Sequence, residues 1–425
     1  MKKLKIGLIG LGTVGKSVYE ILTEQSDIVN PRSANKIELK SVAARSKKDF
    51  IDEKKVTYVA NILDIANDPE IDIVIEAAGG QSDIIIELWE TALKNGKKII
   101  TANKALMADQ GLRMTQLAEK NGGYIAYEAA IAGAIPIVKL FKEGLSANKI
   151  SGFYGILNGT CNYILTKMRD EGIDFDVALK QAQEAGYAEA DPTFDVEGID
   201  AAHKLSLLAA IASSTKPNFD KLYIEGISKI SSDDISLATE FGYKIKLLGI
   251  YKNNGKSTQQ TVYPALVENS TLIASIEDSF NAVFTQGNNC GDNLIVGRGA
   301  GGSQTASAIV ADLIDIANDR HSFEFGVKSD ELKDSNIDKI QDRVGKYFLR
   351  LNLDTAKNKE TPLSKEFFDK IKVKSTSYHQ NEDSLETICG ILTDVISEKE
   401  IKLQIEKLDK ALVKNSNLIR VEEIK

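Results

Sequence analysis

One stretch of this sequence concentrates the side chains of acid–base chemistry: Glu189, Asp191, Asp195, Glu197, Asp200, His203 and Lys204 all fall between positions 189 and 204. Asp200 and Lys204 stand four apart where helical spacing is expected, so they share one helix face. They could form a plain surface ion pair or line a cleft. The run Leu205-Ser206-Leu207-Leu208-Ala209-Ala210-Ile211 follows directly and argues that the helix is mostly buried. A buried carboxylate–ammonium pair needs a reason beyond stability, because desolvation offsets its Coulomb gain, and that points to function. His203 invites a role as general acid, but adjacent helical residues project about 100° apart. It is read as structural.

A second chemistry sits at the N-terminal end. Gly10-Leu11-Gly12-Thr13-Val14-Gly15 follows a short apolar strand, Leu4 to Ile9, and opens a helix. Glycines there permit a tight turn and close approach to a pyrophosphate, which meets the free N–H groups and positive dipole end of the helix. The six-residue pattern alone is weak; between a strand and a helix it marks a dinucleotide site. The next strand ends Ala43-Ala44-Arg45-Ser46-Lys47-Lys48, with no acid at its tip. An acid there binds ribose hydroxyls, whereas an arginine suits a 2′-phosphate, so NADP is favoured over NAD. Arg45 could equally be part of a solvated turn. Gly79 and Gly80 end one further strand and Thr101 to Leu106 the next. Ligands bind beyond the carboxyl ends of such strands, so Lys104 is either a cofactor-proximal cation or an ordinary surface lysine.

Alternating strand and helix signals position these residues. Strands at 37–44, 71–77 and 97–101 alternate with helices at 14–22 and 83–94, which implies βαβ units and a parallel sheet. Past Ile150 the pattern becomes α+β. It runs through a strand at 149–157, helices at 163–169, 177–185 and 196–212, then strands at 246–251, 260–265 and 282–286. A glycine cluster, 297–302, precedes an apolar helix at 306–317. From 346 the order is strand (347–353), helix (363–371), strand (373–378), strand (385–393), helix (399–412), strand (417–422), a ferredoxin-like βαββαβ arrangement.

A chain of 425 residues implies more than one domain. With 43% hydrophobic and 27% charged residues it can bury a sizeable core. A net charge of -8 argues against nucleic-acid and anionic-membrane partners. Cys161, Cys290 and Cys389 are scattered, which fits a reducing compartment rather than a disulfide framework. No signal peptide is read at the start, and no segment approaches the roughly 18 apolar residues of a membrane span, so the cytoplasm is expected.

Taken together, these segments resemble the homoserine dehydrogenase family, in its long form with a C-terminal ACT-like domain. The resemblance is carried by the Gly10–Gly15 loop, Thr101-Ala102-Asn103-Lys104-Ala105-Leu106, and Glu128-Ala129-Ala130-Ile131-Ala132-Gly133-Ala134-Ile135-Pro136. Gly155-Ile156-Leu157-Asn158-Gly159-Thr160-Cys161-Asn162-Tyr163-Ile164-Leu165 and Gly186 through Lys204 complete it. It implies a Rossmann dinucleotide-binding domain (1–130, with the helix 303–320 packing back on it) and an α+β substrate and dimerisation domain (131–302). A linker (321–344) and the βαββαβ ACT-like domain (345–425) follow. It implies hydride transfer between a nicotinamide cofactor and a small-molecule substrate, interconverting L-aspartate 4-semialdehyde and L-homoserine. Lys204 would be the catalytic acid/base, and Asp200 and Glu189 would hold the substrate amino group, supported by Asp195. Lys104 would stand between nicotinamide and substrate. Gly10, Gly12, Thr13, Val14, Gly15, Arg45, Gly80, Gly186 and Gly302 would contact cofactor. A sodium ion would be bound by Glu128 and the carbonyls of Ile131, Gly133 and Ile135, an oxygen-only set that suits a hard ion. A homodimer or higher homo-oligomer is implied.

Three departures stand out. Ala134 occupies a position often glycine in the family, and Gln304 one that is usually proline. The effector turn of ACT domains is replaced by Asp354-Thr355-Ala356-Lys357-Asn358-Lys359-Glu360-Thr361-Pro362-Leu363, without its glycine. Threonine feedback and a purely structural role both stay open for that domain. Two rival readings remain: a phosphorylating aldehyde dehydrogenase with Cys161 as nucleophile, which would need a thiolate-stabilising partner, and a non-catalytic amino-acid sensor.

Overall fold

The computed structural model describes residues 3–354, 363–380 and 386–424. They group into two compact units, one of residues 1–153, 203–221 and 285–335, the other of 154–202, 222–284 and 336–425. These seams differ from limits drawn along the sequence because segments distant in the chain share sheets and cores.

The first unit is built on a parallel sheet. Its strands are β1 (Lys3–Ile9), β2 (Lys36–Ala43), β3 (Thr57–Val59), β4 (Ile73–Glu76), β5 (Lys98–Thr101) and β6 (Tyr124–Ala126), ordered β3-β2-β1-β4-β5-β6. This doubly wound order reverses direction between β1 and β4, where a crevice opens at the strand ends and dinucleotides bind. The central strand β4 is buried along its whole length because helices cover both sides of such a sheet, whereas β2 alternates, with Ile37 and Leu39 buried between Lys36, Glu38 and Lys40. Helix α1 (Thr13–Glu24) and the helix Gly302–Ala317 share one core with β1 and β2, through Val18, Tyr19, Ile6, Val42, Ala306, Ile309 and Leu313.

In the second unit, strands Tyr243–Asn253 and Thr258–Glu268 form an antiparallel pair, and Thr258–Glu268 is joined on its other edge by the parallel strand Val413–Glu422. From there the sheet continues with Tyr347–Asp354, Glu386–Thr393 and Val373–Gln380, each antiparallel to its neighbour. With helices Lys365–Ile371 and Glu398–Glu406, the C-terminal elements run in βαββαβ order. Alternate residues Tyr347, Leu349, Leu351 and Leu353 face a core with Phe367, Ile371 and Ile401, as the period of a strand requires. The opposite face is also covered. Arg350 donates to Asp234 of the helix Ser232–Glu240 at 2.7 Å, and Phe348 meets Phe241. The departure from the ACT effector turn falls on residues 355–362, outside the described residues.

Some sequence expectations needed correction in extent. The helix expected over 399–412 stops at Glu406, because Asp409 accepts the amides of Leu412 and Val413 and turns the chain. The strand Gly291–Arg298, to which no element had been assigned, runs into the glycine cluster. None of the described helices is long and apolar enough to cross a membrane.

Candidate active site

The dinucleotide loop is shaped by three glycines, each for its own reason. Gly10 has φ +88°, and a Cβ there would lie 2.5 Å from the Ala78 nitrogen at the end of β4. A Cβ on Gly15 would lie 1.7 Å from the Gly10 carbonyl oxygen. Gly12, by contrast, opens onto free space and precedes a helix whose first turn holds no acid and whose cap position makes no side-chain bond. Unsatisfied N–H groups and the positive end of a helix dipole therefore face an open approach, which fits a pyrophosphate. Thr13 and Val14 begin that helix, and Gly302 packs against it, its Cβ position 3.0 Å from the Thr13 methyl. Arg45 is exposed beyond the end of β2.

Beside this loop lies a buried carboxylate that sequence reasoning did not single out. Glu76, fully buried at the end of β4, accepts the amides of Ala78 at 2.8 Å and Gly79 at 2.7 Å on one oxygen. Its other oxygen accepts the Thr101 hydroxyl at 2.8 Å. Thr101 Oγ1 in turn accepts the Asn103 amide, and Asn103 Nδ2 donates to the Gly80 carbonyl at 2.6 Å. Asn103 Oδ1 caps the helix Lys104–Asn121 by accepting from Leu106. Lys104 is thus the first residue of a helix whose entry is fixed by this chain of bonds, and it is half-buried. A glutamate ending an otherwise apolar strand was the available signal.

In the second unit the acidic residues converge on an asparagine. Asn158 ends the segment after strand Ile150–Ile156 and caps the helix Gly159–Glu171, its Oδ1 accepting the Cys161 amide at 2.8 Å. Its Nδ2 donates to Asp195 at 2.7 Å and to Asp200 at 2.9 Å. Gly159 lets the chain press close, since a Cβ there would meet the Ser279 carbonyl at 2.6 Å. Asp200 is buried and Asp195 half-buried. Glu189 is exposed on the loop after the helix Phe175–Glu184, as is Gly186, which holds φ +76°. Cys161 is fully buried, its thiol directed at the Asp195 carbonyl 3.2 Å away.

Asp200 and Lys204 lie on the helix Ile199–Ser213, four residues apart. Lys204 is 7% exposed, and long charged side chains are almost never buried unless something holds them there. His203 stacks on Phe219, ring centroids 4.2 Å apart and nearly parallel, in keeping with a structural role.

The residues expected to ligate a cation lie on the turn after β6. Glu128 is buried, and its two carboxylate oxygens accept the amides of Val138 and Lys139 at 2.9 and 2.8 Å. Its own amide donates to Asp312. Burial pushes the Glu128 carboxyl up to about 7, against the pull of those amides. Loss of water, then the Glu128 charge, holds Asp312 up to about 8. Gly133 has φ +54° and would clash with Gly299 if it carried a Cβ, while the Ile135 carbonyl accepts the Ile137 amide. Among the described residues no group of three or more His, Cys, Asp and Glu side chains could hold a metal.

Asp195 and Asp200 are therefore brought together, by an asparagine that lay inside a quoted motif without a role. Comparison with known proteins bears on what this arrangement serves. Residues 10–128 match the family described as homoserine dehydrogenase, NAD binding domain, and residues 136–314 the family described as homoserine dehydrogenase. The chain is 43% identical over 357 residues to a homoserine dehydrogenase of Pseudomonas aeruginosa, covering 83% of this chain and 82% of that protein. It is 42% identical over 330 residues to that of Helicobacter pylori, 77% of each chain. The solved homoserine dehydrogenase of Thiobacillus denitrificans superposes with a TM-score of 0.89 at 37% identity, covering 100% of this chain and 99% of that one. A hyperthermophilic archaeal homoserine dehydrogenase in complex with NADPH matches with a TM-score of 0.62 at 25% identity, covering 74% of this chain and 97% of that one. The chain belongs to the homoserine dehydrogenase family.

Proposed function

We propose that the chain interconverts L-aspartate 4-semialdehyde and L-homoserine with Lys204 as the proton donor and acceptor. The observation that carries this is a lysine nearly sealed from solvent, one helical turn after a buried aspartate. When bound, the nicotinamide supplies or accepts the hydride. The Lys204 ammonium stabilises the alkoxide that develops on the substrate oxygen and gives it a proton; in the oxidative direction neutral Lys204 removes that proton. Asp200 and Asp195 hold the substrate ammonium, with Glu189 adding its charge from the exposed loop. Lys104, at the mouth of its helix, orients the substrate and favours the negative oxygen. Gly10, Gly12, Thr13, Val14, Gly15, Gly80, Gly186 and Gly302 form the cofactor contacts. Arg45, with no acid beside it at the end of β2, favours a 2′-phosphate and hence NADP.

A sodium ion at the turn 128–135 belongs to the same reading. Both Glu128 carboxylate oxygens already accept amides, so the carbonyls of Ile131 and Gly133 would do most of the binding, with those of Glu128 and Ile135. A positive charge there would offset the burial of Glu128 and Asp312 and stiffen the turn, without entering the reaction. A homodimer is also proposed, with sedimentation velocity as its test.

Lys204→Ala is expected to lower turnover by at least about a hundredfold, the lower range for lost acid–base help, while NADPH still binds. Turnover within threefold of the parent would remove Lys204 from the mechanism. The rival use of Cys161 is disfavoured by its burial and by its bond to a backbone carbonyl, neither of which stabilises a thiolate. Phosphate-dependent oxidation abolished by Cys161→Ser would reinstate it.

A further inference from the structure

We infer that Asn158 is a positioning residue: its side-chain amide clamps Asp195 and Asp200 into a paired carboxylate site without adding a charge of its own. This rests on the reading of those two aspartates given above. The orientation of the amide follows from its neighbours. Its oxygen must face the Cys161 N–H, which can only donate, so its nitrogen must face the two carboxylates, which can only accept when ionised. One NH2 group has two hydrogens, and each is used, at 2.7 and 2.9 Å.

The choice of an amide has a chemical reason. Two carboxylates drawn to one point repel each other and need donors between them. A lysine or arginine at this position would supply donors but would bring a further positive charge into the site. A hydroxyl has a single hydrogen and can serve one carboxylate only. Asparagine bridges both without adding charge. Its anchor is rigid, because the same side chain caps a helix that is held further along. Asn162 of that helix donates to the Ile276 carbonyl and accepts from the buried Lys246 at 3.1 Å. Asp195 is held a second time, by the Cys161 thiol on its carbonyl.

Capping and clamping can be separated by substitution. Aspartate caps a helix as well as asparagine does, so Asn158→Asp keeps the bond to the Cys161 amide. It removes both donations and puts a third carboxyl against the pair. The expected result is a fall of at least about tenfold in kcat/KM for homoserine, the loss of one hydrogen bond to a charged group. The fall should be carried mainly by KM, with the KM for NADP unchanged and the urea midpoint lowered by the repulsion of the third carboxyl. Homoserine kcat/KM within threefold of the parent would overturn the clamp. Asp200→Asn, measured alongside, tests the underlying reading: an unchanged homoserine KM there removes the aspartates from substrate binding. A raised KM there with an unaffected Asn158→Asp removes only the clamp. Should Asn158→Asp fail to fold, Asn158→Ser decides, since it retains the cap and a single donor. An intermediate loss of several-fold supports the proposal, and a parental value overturns it.

Discussion

Replacing Glu76 by glutamine tests whether the buried carboxylate, rather than the glycine loop alone, sets the cofactor site. Glu76 accepts three hydrogen bonds, from Ala78, Gly79 and Thr101, at 2.7–2.8 Å. Glutamine is nearly isosteric and can keep its oxygen towards the two amides. Those bonds then lose their charge, and an NH2 group takes the place of the oxygen that met the Thr101 hydroxyl. Hydrogen bonds to a charged partner contribute about 1.5–3 kcal/mol and neutral ones about 0.5–1.5, so roughly 1 kcal/mol is lost at each of three positions. If half of that roughly 3 kcal/mol is felt by the Ala77–Gly80 turn, cofactor affinity falls about tenfold. The same turn packs under Gly10, so the pyrophosphate loop loosens with it. Titration of NADPH fluorescence reads this directly, and the KM for homoserine should stay near its parental value. Thr101→Val, which removes the hydroxyl that links Glu76 to Asn103, should move affinity the same way. An NADPH Kd within twofold of the parent in Glu76→Gln, with an unchanged urea midpoint, would refute the reasoning.

Gly15→Ala places a methyl 1.7 Å from the Gly10 carbonyl oxygen; overpacking of that kind costs about 1–3 kcal/mol and distorts the loop, so NADPH affinity should fall by at least tenfold while Gly12→Ala, in open space, has a smaller effect on folding. In the second unit, burial raises the Glu422 carboxyl but Lys252 and Arg343 outweigh it, leaving it at about 2; burial likewise loses to Lys246, Lys244 and Arg169 at Glu277, also about 2. A depressed carboxyl stabilises the native state above its ordinary value near 4.5 and loses that contribution as pH falls towards 2, roughly 3 kcal/mol for the sealed Glu422. Acid unfolding followed by circular dichroism should therefore steepen below pH 4.5, and Glu422→Gln should flatten it. Arg420, buried, donates to both oxygens of Glu398 and to Glu225. Arg420→Met leaves Glu398 buried with its main partner gone, which costs about 3–5 kcal/mol and should lower the urea midpoint markedly.

Much of the first unit was legible because a parallel sheet writes itself plainly: the apolar runs of β1 and β4 lead into glycines, and helix Asp83–Lys94 was read to the residue. β3 and β6 were missed, each only three residues long and too short to show a period. The role of Glu76 was invisible because its partners are amides on its own turn and a threonine on the next strand, a relation that only the strand order creates. Asn158 was hidden for a similar reason: it caps a helix locally, which sequence can hint at, but its amide serves carboxylates of two later segments. The aspartates themselves were legible from type and spacing. Glu189, expected in the same group, stands exposed, since the loop carrying it turns at Gly186 before the acids gather.

Strand Val413–Glu422 is the parallel partner of Thr258–Glu268, with Arg420 beside Ala265. A ribosome delivers these residues in order, so the nascent chain carries the Ala265–Val267 stretch of that strand with one edge unpaired until a much later segment emerges, although Thr261 and Val262 beside it pair with the earlier Tyr223 and Ile224. The second unit therefore closes only late in translation. A stalled or shortened polypeptide lacking those later residues would present an open, apolar edge to chaperones and to other copies of itself.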